Sequence, residues 1–85
     1  MVSDMDKDAY LASIRTEYLR AQDAYPRPFV NAHEAHSVIE EEYDEFKREV
    51  QKKPDDRFAH TCQRELIQLA AMCLRALVEV DWNAR

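Results

Sequence analysis

Oxygen-bearing side chains recur at helical spacing in two segments of this chain. Residues 41–45 read Glu-Glu-Tyr-Asp-Glu, an E-E-x-x-E pattern, and residues 65–68 read Glu-Leu-Ile-Gln, an E-x-x-Q pattern. Side chains three residues apart on a helix project from neighbouring positions on one side. Two such helices packed antiparallel could bring three or four oxygens to one point, as a hard cation such as Mg²⁺ requires. The pattern predicts a metal-dependent enzyme acting on a phosphorylated small molecule.

Three helices are predicted to position these groups, and the first covers about residues 6–24. Its apolar side chains recur at spacings of three and four residues, as in an amphipathic helix. Residues 25–28 read Tyr-Pro-Arg-Pro and end the helix, because Pro disfavours helical dihedrals at the residue before it. We expect this helix to be shorter than the other two. Its expected core-facing residues are Tyr10, Leu11, Ile14, Tyr18 and Leu19.

The second helix is predicted over about residues 32–52. Asn31 is its expected N-cap, and Glu34 follows three residues later, where a capping-box partner belongs. Pro54 stops the helix because it cannot continue the backbone hydrogen bonds. The expected inner side comprises Ala35, Ile39, Tyr43, Phe46 and Val50.

The third helix is predicted to begin after a cap at Asp55 or Asp56 and to end near Val80. It is apolar on two sides, and a helix that is apolar nearly all round is buried nearly all round. Three helices in one small chain cannot easily enclose it, so its second side is predicted to face another copy, in a homodimer or homotetramer. The first side comprises Phe58, Cys62, Leu66, Leu69, Cys73, Leu77 and Val80, and the second Ile67, Ala70, Ala71, Leu74 and Val78.

Composition favours one small all-α domain over residues 1–85. The chain has no Gly and three Pro, with 46% hydrophobic and 34% charged residues, which indicates long helices with short connections. A core of this size is marginally stable by itself. Cys62 and Cys73 lie about three turns apart on one predicted helix, too far to form a disulfide, and are expected to be buried thiols. Oligomerisation is therefore the expected source of added stability.

Charge and hydropathy exclude two classes of partner. The net charge of −5 argues against binding a nucleic-acid polymer, which needs a basic face. It leaves a mononucleotide open, because a metal can supply the positive charge. No apolar run approaches the length of about 20 residues that spans a bilayer. The first residues are acidic and lack the apolar core of a signal peptide, so a cytoplasmic location is expected.

The acidic residues of the second helix are not equivalent. Glu42, Glu45 and Glu49 share one flank beside the apolar stripe, and Glu41 lies at the margin of that flank. On the third helix, Glu65 falls inside the apolar arc, where a carboxylate is costly unless it is paired, protonated or bound to metal.

A second interpretation of these acids stays open. The acidic row of the second helix could be a solvated face. Glu65 would then pair with an arginine such as Arg15, Arg20 or Arg64.

The two motifs lie within a longer resemblance. Residues 33–46, joined to residues 65–72 (Glu-Leu-Ile-Gln-Leu-Ala-Ala-Met), resemble the MazG-like branch of the all-α nucleoside triphosphate pyrophosphatases. That superfamily carries E-E-x-x-E, a spacer and then E-x-x-D on the next helix. The nineteen residues between Glu45 and Glu65 fit that spacing. The likeness covers about residues 31–80 and is greatest for small phage-type and bacterial members.

The resemblance implies a fold, an activity and a set of roles. The fold would be an antiparallel helical bundle completed by oligomerisation. The activity would be hydrolysis of a nucleoside triphosphate between its α and β phosphates, giving a monophosphate and pyrophosphate, as in nucleotide-pool house-cleaning. Glu42, Glu45 and Glu65 would bind Mg²⁺, with Mn²⁺ as a substitute. Glu41 would be the fourth acid of the motif, either a ligand or the group that orients the attacking water.

Gln68 departs from the pattern, because it stands where the family has Asp. An amide oxygen can ligate Mg²⁺, but it carries no charge and cannot act as a base. The site would therefore bind metal more weakly or hold one ion instead of two. Glu49, one turn beyond Glu45, could compensate. The alternative function is a catalytically inactive helical module that binds nucleotides or a protein partner.

Several other residues are weaker candidates for substrate binding. Asn31 and His33 lie at the start of the second helix, where the helix end favours anions, and Glu49 lies near the acidic motif. His33 and His36 are three residues apart, whereas the zinc-protease motif spaces its histidines by four. The aromatic residues that could stack on a base, or equally belong to the core, are Tyr18, Tyr25, Phe29 and Trp82.

Overall fold

The computed structural model describes residues 4–83, which form three α-helices. They are α1 (Asp4–Ala24), α2 (Ala32–Gln51) and α3 (Phe58–Glu79). The predicted all-α class is confirmed. The helices have 21, 20 and 22 residues, so the expectation of a shorter first helix is wrong. No helix in this part of the chain has an apolar stretch long enough to cross a membrane.

The helix α3 is the central element. The backbones of α1 and α2 each approach α3 and, among the described residues, do not approach each other. Ala35 near the start of α2 packs with Ala76 near the end of α3, so these two helices are antiparallel. Ala21 at the end of α1 packs with Ala71 and Met72, so α1 runs parallel to α3.

The core between these helices is built largely from alanine. Ala71 is completely buried and Ala35 is 1% exposed, and both lie at helix contacts. Small side chains let the helix backbones approach closely but bury little apolar area. The radius of gyration of 14.3 Å exceeds the value of about 12 Å expected for a compact chain of this length. The chain is therefore elongated around a thin core.

Several expected core positions are wrong because each helix is rotated towards its small residues. In α1, Ile14, Tyr18 and Ala21 pack towards α3, whereas Leu11 and Leu19 are 57% and 51% exposed. Tyr10 is also exposed. Three of the five expected core residues of α1 thus lie outside, while its buried residue is Ala21.

The same rotation affects α2 and α3. Tyr43 and Val50 are exposed, whereas Val38 joins Ala35 and Ile39 in the core. Ala71 was expected on the outer side of α3 but is buried in the core. Two residues of the expected inner side, Leu66 and Leu77, are exposed.

The start of α2 is capped largely as predicted. Asn31 Oδ1 accepts a hydrogen bond from the Glu34 backbone N–H at 3.0 Å. The Glu34 carboxylate returns to the backbone N–H of Val30 at 3.2 Å rather than to that of Asn31. The reciprocal bond is thus displaced by one residue, and it ties α2 to the segment before it.

The predicted cap of α3 is wrong. Arg57 occupies the N-cap position and makes no side-chain capping bond. Asp55 Oδ1 instead accepts from the Arg57 backbone N–H at 2.8 Å. That bond closes an Asx-type turn before the helix, because the short carboxylate side chain reaches the backbone two residues on.

Candidate metal centre

Three carboxylates converge where α2 crosses α3. Glu42, Glu45 and Glu65 each place one oxygen so that all three lie within 4.8 Å of one another. Glu42 and Glu45 are one turn apart on α2, and the antiparallel packing brings Glu65 of α3 opposite them. All three side chains are half-buried. They are three of the four residues, with Gln68, that the resemblance implied as metal ligands.

The surroundings of Glu42 and Glu65 raise the affinity of these two carboxylates for protons. Burial, followed by the charges of Glu45, Glu65 and Glu41, raises the pKa of Glu42 to about 7. Burial and the charge of Glu45 also raise the pKa of Glu65, although Arg64 acts in the opposite direction. Like charges and a poorly solvated environment both disfavour the ionised form. The cluster is therefore electrostatically unfavourable without a cation.

Two carboxylate oxygens of the cluster lack the contacts that buried oxygens normally make. Glu42 Oε2 and Glu65 Oε2 are buried and have no hydrogen-bond partner among the described residues. Arg20, one of the arginines that could have paired with Glu65, forms an ion pair with Glu17 on its own helix. Buried polar atoms are almost always satisfied. A divalent cation would satisfy both oxygens, and Mg²⁺ prefers such a set of carboxylate donors.

The other predicted ligands lie around this centre. Gln68 is half-buried one turn after Glu65 on α3. Glu49 accepts a hydrogen bond from Lys52 Nζ at 2.6 Å, and this bond is the main reason why its pKa is lowered. Glu41 is exposed and lines the cleft described below.

The two candidates for substrate binding at the start of α2 do not lie in the cleft that adjoins the metal centre. The Asn31 side chain is the N-cap, and His33 is exposed in the first turn. Neither residue lines the cleft next to the metal centre.

An open cleft of about 710 Å³ adjoins the cluster at Glu42. The segment between α1 and α2 forms one wall, and α2 and α3 form the others. Tyr25 contributes an exposed aromatic ring, whereas the neighbouring Arg27 is paired with Glu34 at 3.2 Å. The residues that line the cleft are Ala24, Tyr25, Pro26, Arg27, Phe29, Glu34, Val38, Glu41, Glu42, Met72 and Arg75.

A buried ion pair behind this cleft was not found from the sequence. Arg75 Nε donates to Glu79 Oε2 at 2.8 Å, and both side chains are nearly inaccessible. Arg75 Nη2 also donates to the backbone carbonyls of Tyr25 and Arg27, at 2.9 Å and 2.7 Å. The signal was present, because Arg75 and Glu79 are the only charges in residues 66–79 of α3 and lie four residues apart.

Three aromatic candidates for base stacking differ in their surroundings. Phe29 is 6% exposed, and the Arg75 guanidinium lies 4.5 Å from its ring centroid, so it belongs to the core. The half-buried Tyr18 hydroxyl accepts from Gln22 Nε2 at 3.2 Å. Tyr25 is the one of the three that offers an exposed ring to the cleft.

The two thiols are less buried than expected. Cys62 and Cys73 are both free, as predicted, but each is half-buried.

Comparison of the chain with protein-family models, with curated proteins and with solved structures found no match.

Proposed function

We propose that the chain is a Mg²⁺-dependent nucleoside triphosphate pyrophosphohydrolase of the MazG-like type. One observation carries the proposal: Glu42, Glu45 and Glu65 converge beside a cleft that Glu42 lines, and buried oxygens of Glu42 and Glu65 lack partners. The resemblance of residues 31–80 to the MazG-like pyrophosphatases supplies the reaction. Such a cluster suits phosphate chemistry, because hydrolysis of a phosphoanhydride depends chiefly on charge neutralisation and an oriented water.

Three acidic side chains and one amide side chain of this protein would bind the metal. Glu42, Glu45 and Glu65 would hold Mg²⁺ or Mn²⁺, and Gln68 would be a neutral ligand or would orient one of the acids. When bound, such an ion neutralises phosphate oxygens and lowers the pKa of a coordinated water. Glu41 exposes its carboxylate to the cleft beside Glu42, so it would orient the attacking water or accept its proton.

The cleft would receive the nucleoside part of the substrate. Its volume of about 710 Å³ lies within the range of about 300–1,000 Å³ that small-molecule sites occupy. Tyr25 offers an aromatic face for a base, while the acidic end of the cleft takes the phosphates through the metal. A monomeric nucleotide is the proposed ligand, since the net charge of −5 disfavours a nucleic-acid polymer.

Self-association to a homodimer or homotetramer is part of the same proposal. The chain exposes 6808 Å², whereas a compact monomer of its mass exposes about 5,200 Å². Near the end of α3, Leu77 and Val78 are 69% and 60% exposed on successive residues. A second copy would cover these apolar side chains, of which Val78 belongs to the side of α3 predicted to face another copy and Leu77 to the side predicted to face inwards. We place the assembly in the cytoplasm.

A second candidate function is favoured by Gln68. An amide where the family pattern has an acid reduces the charge available to a metal, so the chain could be a helical module that has kept the fold without the chemistry. Such a module would bind a nucleotide or a protein partner. It should show no metal-dependent rise in melting temperature, because a ligand stabilises only a fold that binds it.

Pyrophosphate release tests the proposal directly. The assay would use ribo-, deoxyribo- and modified nucleoside triphosphates with Mg²⁺ or Mn²⁺. Glu45→Gln should abolish release, whereas Glu40→Gln is the matched control, because Glu40 is exposed on the same helix and pairs with His36. Absence of release from every nucleotide by folded protein would contradict the enzyme and favour the module.

A further inference from the structure

We propose that Arg75 and Glu79 are positioning residues for nucleotide binding, because their buried ion pair fixes the segment Tyr25–Phe29 as one wall of the cleft. This inference rests on the proposed function and deepens it. The pair contacts that wall and not the three metal-binding carboxylates. Changing the Arg75–Glu79 pair should therefore affect substrate binding without affecting metal binding.

The pair is directed at the backbone of the segment. Arg75 donates to the carbonyls of Tyr25 and Arg27, and Glu79 Oε1 accepts from the Phe29 backbone N–H at 3.2 Å. The Arg75 guanidinium also covers the Phe29 ring. Two side chains on one turn of α3 thus hold every second residue of the segment, about 50 positions away in the chain. These residues are Tyr25, Arg27 and Phe29.

The segment needs such external bonds because of its own sequence. Pro26 and Pro28 have no backbone N–H, so they cannot join a local hydrogen-bond ladder. The segment lies between two helices and contains no helical turn of its own. The Tyr25 N–H donates to Ala21 of α1, and the Arg27 side chain pairs with Glu34 of α2. The helix α3 provides the bonds to the carbonyls of Tyr25 and Arg27 and to the Phe29 N–H.

Arginine is suited to this task in a way that lysine is not. A planar guanidinium presents donors in fixed directions and can bond a carboxylate and two carbonyls at once while it stacks on an aromatic ring. The ammonium of lysine is a compact charge and cannot reproduce that arrangement. Arg75→Lys should keep the charge balance with Glu79 and still loosen the wall.

The position of the wall matters for the ligand. Tyr25, Pro26, Arg27 and Phe29 line the same cleft as Glu41 and Glu42. A displaced segment would change the surface that meets the nucleoside. The hydrogen bonds of Arg75 and Glu79 go to each other and to the backbone of this wall and involve none of the three carboxylates, so the metal centre should be unaffected.

The experiment compares Arg75→Lys and Glu79→Gln with the unmodified chain. Arg20→Lys is the matched control, because Arg20 is exposed, pairs with Glu17 on its own helix and does not line the cleft. Four quantities are measured in folded protein: kcat for pyrophosphate release, the corresponding KM, the rise in Tm caused by Mn²⁺ alone, and amide hydrogen exchange across residues 25–30.

We expect both variants to raise KM about tenfold or more while kcat changes by less than about threefold. This result is expected when the protein loses an interaction that stabilises the bound substrate and the transition state equally. Exchange across residues 25–30 should be faster, the Mn²⁺ increment in Tm should be unchanged, and Arg20→Lys should behave as the unmodified chain. An unchanged KM, unchanged exchange or a loss of the Mn²⁺ increment would each overturn the proposal.

Failure of the proposed function is distinguishable from failure of this inference. If the unmodified chain releases no pyrophosphate, hydrolysis is refuted, and equilibrium dialysis of ATP and dATP with Mn²⁺ tests the pair instead. Weaker nucleotide binding by Arg75→Lys would then support the positioning role. Equal binding by both proteins, or no binding by either, would overturn it.

Discussion

Glu42 of α2 and Glu65 of α3 face each other across a helix contact, and each keeps one buried carboxylate oxygen without a hydrogen-bond partner in the described chain. Two unsatisfied acids at one contact raise the free energy of the folded chain. The arrangement is favourable once a cation binds between them. Stability and metal binding are therefore linked at this one contact.

Neutralising one acid should stabilise the metal-free protein and abolish its response to metal. We expect Glu65→Gln in EDTA to raise the free energy of unfolding by about 1 kcal/mol, the scale of a partly screened like-charge contact. Mg²⁺ should then no longer raise Tm, because one charged ligand is missing. Urea denaturation with EDTA or Mg²⁺ measures both effects. A destabilised Glu65→Gln that still responds to Mg²⁺ would contradict this account, and Glu40→Gln is the control.

The stability of the metal-free protein should fall as the pH rises through neutrality. The pKa of Glu42 is raised to about 7 from an ordinary value of 4.5, so the folded chain retains a proton that the unfolded chain has lost. The contribution of this group to stability is complete below about pH 4.5 and lost as the pH rises through about 7. Tm in EDTA, measured from about pH 5 to pH 8, should decline more steeply for the unmodified chain than for Glu42→Gln.

The same titration should control metal binding. Protons compete with a metal for carboxylates, so the Tm increment caused by Mg²⁺ should grow over the interval in which Glu42 loses its proton. Thermal denaturation with and without Mg²⁺ across that range checks the expectation. An increment that is constant with pH would show that Glu42 is not a ligand.

Restoring an acid at position 68 should strengthen the site. Gln68→Asp adds a charge one turn after Glu65, and we expect Mg²⁺ to bind about tenfold more tightly, because affinity follows the number of charged ligands. Isothermal titration with Mg²⁺ measures the change. Gln63→Asp, at an exposed position of the same helix, is the control. Equal effects of the two substitutions would indicate a general charge effect rather than a ligand at position 68.

Breaking the buried ion pair should be costly. Arg75→Met leaves the Glu79 carboxylate buried without its partner, and we expect a loss of about 3–5 kcal/mol in the free energy of unfolding. The double variant Arg75→Met with Glu79→Leu should recover part of that loss, because no charge then remains buried. Guanidinium denaturation of the three proteins gives the comparison. A double variant as unstable as the single one would show that lost packing, not the unpaired charge, dominates.

Helix positions and the three converging acids were predictable because both follow from local spacing. The apolar repeats and the prolines set the helix ranges closely, and the E-E-x-x-E pattern named Glu42 and Glu45. Glu65 was identifiable as an acid inside an apolar arc. These features depend on the helical period and on the antiparallel order of two neighbouring helices, which a short connection imposes.

The rotation of each helix and the buried pair could not be obtained in this way. The hydrophobic period assigns large apolar residues such as Leu77 and Tyr43 to the core. Ala35 and Ala71 are the buried residues at the helix contacts instead, because small side chains let the helix backbones approach each other. Arg75 bonds to carbonyls about 50 residues away. That contact depends on the path of a proline-containing segment, which no local pattern specifies.

The central place of α3 has a consequence for how the chain folds during synthesis. Both α1 and α2 pack on α3, which follows them in the chain and therefore leaves the ribosome after them. Isolated helices of about 20 residues are only marginally stable in water. The first two helices therefore emerge without the surface that stabilises them. Tertiary structure should then form in a single late step, when Phe58–Glu79 becomes available to both at once.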